Sequence, residues 1–130
     1  SEVVKMKANE YQQEMKKFVS NIKVEPEQSE LIMSALGVAG EAGEYADLIK
    51  KVVLHGKSLD REHAIKELGD VCWYVALACN CLNVPLEEVF DINIDKLSKR
   101  YSTGKFTVEE ANNKKIGGRL ICLNTEKNQL

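Results

Sequence analysis

The feature that most restricts the fold is a helical repeat of apolar residues that continues through most of the chain. Apolar side chains recur every three or four residues, with only short interruptions, from residue 4 to residue 101. Four amphipathic helices are predicted, at residues 4–22, 27–54, 60–82 and 85–101. Long helices joined by short loops pack as antiparallel neighbours. We therefore expect an all-α antiparallel four-helix bundle.

Short start and stop signals separate these helices. Gly56 is placed to end the second helix, and Ser58 or Asp60 to cap the third. Pro85 suits the first turn of the fourth helix, where its missing N–H costs nothing. Each predicted loop after the second helix is therefore only a few residues long.

The C-terminal part of the chain is predicted to differ from the bundle. Thr107 and Glu110 form a capping box for a short fifth helix, which would stop at the glycines 117–118. Strand signals are weak and occur at residues 105–108 and 120–123. We therefore divide the chain into a helical domain at residues 1–107 and a short helix with a tail at residues 108–130.

The charge balance limits the class of partner. The 130 residues carry 18 Lys and Arg against 20 Asp and Glu, a net charge of -2. A protein that binds a nucleic-acid polymer usually shows a clear basic excess, so no such partner is expected. The longest uncharged run, residues 71–86, is shorter than the roughly 18 to 20 apolar residues that span a bilayer. No membrane association is expected.

The N-terminal sequence and the cysteines indicate a cytoplasmic location. Residues 1–15 alternate charged and apolar side chains and lack a hydrophobic leader pattern. No two cysteines have C-x-x-C spacing, so buried reduced thiols are expected rather than a disulfide or a zinc site. The four cysteines are Cys72, Cys79, Cys81 and Cys122.

Three glycines interrupt the second helix at intervals of three residues. Gly37, Gly40 and Gly43 each cost about 0.8 to 1 kcal/mol relative to alanine in a helix interior. Close packing against another helix through small residues would offset that cost. A phosphate-binding glycine loop is disfavoured, because no Gly-Lys-Ser/Thr sequence follows.

Two acidic pairs lie on facing stretches of neighbouring helices. Glu41 and Glu44 are three residues apart on one face of the second helix, and Glu67 and Asp70 repeat this spacing on the third. If the two helices run antiparallel around the loop at 55–59, both pairs lie about 15 Å from the turn. Four carboxylates would then converge.

Such a cluster favours a metal ion. Two unit charges 4 Å apart repel by about 4 kcal/mol at an effective dielectric constant of 20. The flanking residues are apolar, and the ligands would all be oxygens, which favours Mg²⁺ or Mn²⁺. A solvated or salt-bridged acidic surface is the alternative that stays open.

Basic residues supply possible phosphate contacts. Asn93, Lys96 and Arg100 share one face of the fourth helix, and Lys51 follows Glu44 by two turns as a weaker candidate. Opposite a metal cluster they would clamp phosphate, and Asn93 could also hydrogen-bond a ribose. A solvated helix end explains the same cations equally well.

Aromatic residues and a histidine accompany the second acidic pair. Trp73 and Tyr74 lie one turn after Asp70, where they would stack on a base or belong to the core. His63 lies four residues before Glu67, as a group that contacts this metal ligand or as a surface residue.

Three segments together resemble the MazG-like family of all-α nucleoside triphosphate pyrophosphohydrolases, which also includes dimeric dUTPases and dCTP pyrophosphatases. The resemblance covers roughly residues 28–107. It rests on G-V-A-G-E-A-G-E-Y-A-D at 37–47, K-E-L-G-D-V-C-W-Y at 66–74 and K-L-S-K-R-Y-S-T-G-K-F at 96–106.

The resemblance implies a function and a set of site residues. Glu41, Glu44, Glu67 and Asp70 would bind Mg²⁺, with Mn²⁺ as a possible substitute, and Glu41 or Glu44 would orient or deprotonate the attacking water. The substrate would be a nucleoside triphosphate, cleaved to the monophosphate and pyrophosphate, in nucleotide-pool house-cleaning. A homodimer or homotetramer is expected.

Two other functions are consistent with parts of the sequence. A di-iron carboxylate bundle also uses facing glutamates, but it needs Glu-x-x-His motifs, which this chain lacks. A non-enzymatic helical interaction module would make the acids incidental. Residues 71–82 are apolar nearly all round, which indicates burial on both sides. The pyrophosphohydrolase and the interaction module therefore both predict a homo-oligomer that buries these residues.

Overall fold

The computed structural model describes residues 5–19, 28–116 and 119–122 of the chain. Within those residues the fold is all-α apart from one short hairpin of strands. The elements are α1 (Ala8–Glu14), a 3₁₀ turn (Met15–Phe18), α2 (Gln28–His55), α3 (Arg61–Cys81), α4 (Leu86–Arg100), α5 (Val108–Asn112), β1 (Asn113–Ile116) and β2 (Arg119–Cys122). None of the helices within the described ranges is long and apolar enough to cross a membrane.

The predicted all-α fold is confirmed, and the helix ends follow local signals. Gly56 adopts a positive φ of 63° directly after α2, which is the conformation a helix-ending glycine needs. The Asp60 side chain accepts a hydrogen bond from the backbone N–H of His63 at 3.0 Å, so Asp60 caps α3 as predicted. The four-helix bundle arrangement itself stays a prediction.

The first helix differs from its prediction. Instead of one helix at residues 4–22, α1 ends at Glu14 and continues as the 3₁₀ turn through Phe18. Residue 4 and residues 20–22 lie outside the described residues. The tighter turn places Met15, which is almost fully buried, against Ala76 and Leu77 of α3.

Polar contacts join α1 to the start of α4. The buried Gln12 side chain donates to Asn80 Oδ1 at 2.8 Å and to the Val84 carbonyl at 3.0 Å. The side-chain amide oxygen of Gln12 accepts a hydrogen bond from the backbone N–H of Leu86 at 2.8 Å. Asn9 Oδ1 accepts in the same way from the backbone N–H of Glu87 at 3.1 Å. Side chains from a distant helix thus satisfy the free N–H groups at the N-terminus of α4.

One of the three glycines of α2 has a packing reason. A Cβ at Gly37 would lie 2.1 Å from the Tyr74 ring, so only glycine permits this close approach of α2 and α3. At Gly40 and Gly43, no described atom outside the local helix lies within 4 Å of a Cβ. Close packing is therefore confirmed at Gly37, and within the described residues it does not explain the other two.

The cysteines are partly as predicted. Cys79 is buried and Cys81 half-buried, and burial raises the pKa of both thiols. Cys72 is exposed, so the prediction that it is buried is wrong: the buried residues of α3, Ala76, Leu77 and Cys79, begin one turn further along the helix. All three thiols are free, and Cys122 lies where side chains are outside the described residues.

By backbone contacts the chain forms two compact units, Ser1–Glu88 and Val89–Leu130. In the second unit, the Thr107 hydroxyl accepts from the backbone N–H of Glu110 at 3.2 Å, which confirms Thr107 as the cap of α5. The Glu110 carboxylate accepts from the Thr107 hydroxyl and from the backbone N–H of Ser102 rather than from the backbone N–H of Thr107, so only half of the predicted capping box forms.

The end of α5 differs from its prediction. The helix stops at Asn112 rather than at residues 117–118, because asparagine is a weak helix former and the chain continues into β1. Strands β1 and β2 pair antiparallel, with Asn113 opposite Cys122. The strand signal near 120–123 is thus confirmed, whereas residues 105–108 contain no strand.

Candidate metal centre

The acidic pairs meet across the antiparallel helices α2 and α3. One carboxylate oxygen from each of Glu41, Glu67 and Asp70 lies within 4.8 Å of the other two. Glu41 and Glu67 are half-buried and Asp70 is exposed. Three oxygen ligands at this spacing, from two rigid helices, are a donor set that suits a hard divalent cation.

Electrostatic repulsion within this cluster acts on Glu41. Partial loss of hydration raises the pKa of the Glu41 carboxyl, and the negative charges of Asp70, Glu67 and Glu44 raise it further. A bound cation would reverse these charge interactions and favour the ionised form. The electrostatics therefore fit a metal ion, although exposed acidic groups also occur without one.

The fourth predicted ligand lies at the edge of the cluster. The exposed Glu44 carboxylate does not join the three oxygens that lie within 4.8 Å of one another. It is near enough for its charge to raise the pKa of Glu41 and that of Lys51. The structure thus brings three of the four acids together and leaves Glu44 one helical turn away.

A histidine holds one of the three acids. His63 Nε2 lies 2.7 Å from Glu67 Oε1, one turn apart on the same face of α3. The Glu67 side chain is 16% exposed and that of His63 52% exposed. From sequence, His63 was either a group that contacts Glu67 or a surface residue. The structure shows the contact with Glu67.

An aromatic-lined concavity of about 430 Å³ adjoins the acids. It is lined by Phe18, Glu41, Asp70, Trp73 and Tyr74. The rings of Trp73 and Tyr74 meet edge to face, with centroids 5.0 Å apart. Both rings also pack against the core, so the core and site roles considered from sequence occur together.

Sequence reasoning missed Phe18 as a lining residue of this concavity. Its side chain is 72% exposed, at the end of the 3₁₀ turn. The only signal was an apolar residue in the first predicted helix, and such a residue is ordinarily assigned to the core.

A second, more apolar concavity of about 600 Å³ lies along α2 on the other side of Tyr74. Sequence reasoning singled out four of its eight lining residues, Gly37, Gly40, Glu41 and Tyr74, but did not predict that they line one concavity. It is lined by Ser29, Ile32, Met33, Leu36, Gly37, Gly40, Glu41 and Tyr74. The large apolar side chains Ile32 and Leu36 are exposed there, so this side of α2 lacks a covering partner among the described residues.

Lys51 is engaged by another acid. Its ammonium lies 2.6 Å from Asp47 Oδ2, and Lys50 binds the other oxygen of the same carboxylate at 2.7 Å. Hydrogen bonds from the two lysines lower the pKa of Asp47 to about 2, and the Asp47 carboxylate raises the pKa of Lys51. A phosphate would have to compete with Asp47 for this lysine.

The remaining basic candidates belong to the second unit. Asn93 and Lys96 are exposed on α4, and Arg100 is half-buried. In the described part of the chain, no carboxylate forms a salt bridge with Lys96 or Arg100. The role of Asn93, Lys96 and Arg100 as a phosphate clamp stays a prediction.

Comparison with known proteins identifies the family. The family model for the MazG nucleotide pyrophosphohydrolase domain matches residues 28–105, which include all four acids. The Gene 37 protein of Mycobacterium phage L5 is 40% identical over 73 residues, 53% of this chain and 64% of that protein. The chain therefore spans less than two thirds of this relative's length. No solved structure gives a significant match. Because the family model covers more than half of the chain, the protein belongs to the MazG nucleotide pyrophosphohydrolase domain family.

Proposed function

We propose that this protein is a Mg²⁺-dependent pyrophosphohydrolase that cleaves a nucleoside triphosphate to the monophosphate and pyrophosphate. The observation that carries the proposal is the convergence of Glu41, Glu67 and Asp70 beside an aromatic-lined concavity, within a MazG domain. Acids and aromatic rings side by side suit a ligand that combines a metal-bound phosphate chain with a flat base.

Glu41, Glu67 and Asp70 would hold the ion, and Glu44 would complete the set or reach a second ion. The purely oxygen donor set supports Mg²⁺, with Mn²⁺ as a substitute. When bound, the ion would neutralise phosphate oxygens and activate the attacking water.

The residue that accepts the proton of that water would be Glu41 or Glu44. Glu41 belongs to the three-oxygen group, so its carboxylate would be close to a water bound to the ion, whereas Glu44 lies outside that group and is freer to contact a water. Separate Glu41→Gln and Glu44→Gln variants would distinguish the two roles, because loss of a ligand weakens Mg²⁺ binding and loss of a base alone does not.

The rest of the substrate would be held by groups of two kinds. Trp73 and Tyr74, with Phe18 opposite, would stack on the base. Asn93, Lys96 and Arg100 would bind the phosphates, with Lys51 as a weaker contact because Asp47 already holds it. The base and the sugar are left open in this proposal.

We also propose that the protein acts as a homodimer or homotetramer in the cytoplasm. Exposed apolar side chains on α2 and α3, among them Ile32, Leu36, Ile65 and Leu68, support assembly. The free thiols of Cys79 and Cys81 suit a reducing compartment.

A substrate panel tests the proposed activity. Canonical and modified NTPs and dNTPs are incubated with Mg²⁺ or Mn²⁺, and pyrophosphate release is read against phosphate release. We expect pyrophosphate from the wild type and a loss of at least about 100-fold in Asp70→Asn and Glu44→Gln. If folded protein cleaves none of these nucleotides, or both variants keep full activity, the proposed function is wrong. Release of phosphate alone would keep the metal site and reject the pyrophosphate bond as the target.

A further inference from the structure

We infer that His63 is a positioning residue that orients the Glu67 carboxylate for the divalent cation; this inference rests on the proposed function. His63 Nε2 and Glu67 Oε1 are 2.7 Å apart, a hydrogen-bond distance. Residues four apart on a helix are neighbours, so α3 itself brings the ring and the carboxylate together. His63 would contact neither the ion nor the substrate.

The contact leaves Glu67 able to bind an ion. A carboxylate has two oxygens and several acceptor sites, so it accepts a hydrogen bond from the ring and still offers an oxygen to a cation. A glutamate has three side-chain torsions, and restraining them before the ion arrives removes part of the entropy cost of binding. Metal ligands are commonly fixed in this way by a group behind them.

Among the residues that the structure describes, such a contact is found at Glu67 and not at the other two acids of the group. Within the described residues, neither Glu41 nor Asp70 has a hydrogen bond or ion pair with another side chain. Glu67 is also the less accessible partner of the pair, with 16% of its side chain exposed. A histidine that restrains a partly buried metal ligand differs from an ordinary surface pair.

An ordinary pair lies on the same helix and supplies a matched control. Lys66 Nζ and Glu62 Oε1 are 2.9 Å apart with i,i+4 spacing, and both side chains are well exposed. Exposed ion pairs of this kind contribute little to the free energy of unfolding. Lys66→Ala therefore removes a cation and a helix-surface contact from α3 without touching Glu67.

The test compares His63→Ala, His63→Gln and Lys66→Ala with the wild type. Mg²⁺ affinity is measured without substrate, by calorimetry and by the rise of the unfolding temperature with Mg²⁺, and kcat and KM follow in saturating Mg²⁺. We expect His63→Ala to weaken Mg²⁺ binding about tenfold, the lower end of the effect of such groups, because the ring is half exposed. His63→Gln should recover most of the affinity, since its amide N–H reaches a carboxylate four residues away. Lys66→Ala should match the wild type.

Unfolding curves recorded in EDTA establish that each variant is folded. The Mg²⁺ affinities are compared only after this control. If His63→Ala binds Mg²⁺ as tightly as the wild type or more tightly, or if His63→Gln does not recover, the inference is overturned. Tighter binding would mean that His63 acts only as a positive charge that competes with the ion. If the wild type binds Mg²⁺ and His63→Ala weakens it, but no nucleotide is cleaved, the proposed function fails and the role of His63 stands.

Discussion

At the scale of single residues, neighbouring carboxylates on α2 have opposite environments. Glu41 faces other acids across the helix pair, and its pKa is raised by partial burial and by their charges. Asp47, nearly two turns further along α2, binds Lys50 and Lys51, and its pKa falls to about 2. One helix thus carries a carboxyl group whose pKa is raised and a carboxyl group whose pKa is lowered, because their surroundings differ.

The Asp47 environment predicts a pH dependence of stability. Its pKa is about 2 in the folded protein against 3.8 in the reference state, so the unfolded chain binds more protons between these values. The contribution of Asp47 is therefore present above pH 3.8 and is lost as the pH falls towards 2. We expect Asp47→Asn to flatten the fall of the urea midpoint over that range. Glu62→Gln, which removes an exposed ion pair, should follow the wild-type curve. An unchanged slope in Asp47→Asn would contradict the pairing.

At the scale of elements, the helix pair α2–α3 builds the site. A close approach at Gly37 brings α2 onto Tyr74, and the same antiparallel register places Glu41 against Glu67 and Asp70. The packing of the helices and the convergence of the acids are therefore two results of one register.

Replacing two glycines of α2 by alanine, one at a time, separates the effect of helix packing on stability from the effect of helix propensity. Gly37→Ala would put a methyl group 2.1 Å from the Tyr74 ring, so we expect a loss of about 1 to 3 kcal/mol in the free energy of unfolding. Gly40→Ala meets open space and should gain up to about 1 kcal/mol, the helix preference of alanine over glycine. Urea unfolding of both variants checks this. Equal stability of Gly37→Ala and Gly40→Ala would show that the Tyr74 ring moves aside with no loss in the free energy of unfolding.

Most helices could be predicted from local sequence signals, whereas the site could be predicted only in part. Asp60 and Gly56 act within one turn of their own positions, so the ends of α2 and α3 follow from short stretches of sequence. The rise per residue predicted that the two acidic pairs lie at about the same level, and the convergence of Glu41 with Glu67 and Asp70 agrees with this. The rise did not reveal that Glu44, three residues on, lies outside the three-oxygen group, because that depends on the rotation of α2 against α3.

The parts that sequence reasoning missed depend on contacts between distant residues. Phe18 lines the concavity only because the 3₁₀ turn places it near Trp73. Strand β1 has the sequence N-K-K-I, without a clear apolar alternation. The 3₁₀ turn has no local signature, whereas the Gly-Gly sequence at residues 117–118 between β1 and β2 is a hairpin signal that sequence reasoning assigned to a helix end.

At the scale of the whole molecule, the exposed apolar residues of α2 predict self-association. Leu36 is 69% exposed and lies in the apolar concavity beside Gly40, with no described residue covering it. We expect Leu36→Glu to shift a dimer or tetramer towards monomer in size-exclusion chromatography with light scattering, because a charge buried in an interface is costly. Leu59→Glu makes the same change at an exposed leucine beyond the other end of α2 and serves as the control. A monomeric wild type would show that the proposed assembly is wrong.

The hydrogen bonds of Asn9 and Gln12 also bear on the order in which the chain folds. They join residues 68 to 78 positions apart, whereas α2 and α3 are consecutive helices. Contacts of large sequence separation close late, because the intervening chain must first be ordered. During synthesis, α1 leaves the ribosome before α2 and α3 but has to wait for the end of α3 and for residues 84–87 before these hydrogen bonds can form. We therefore expect α1 to dock after the α2–α3 hairpin has formed.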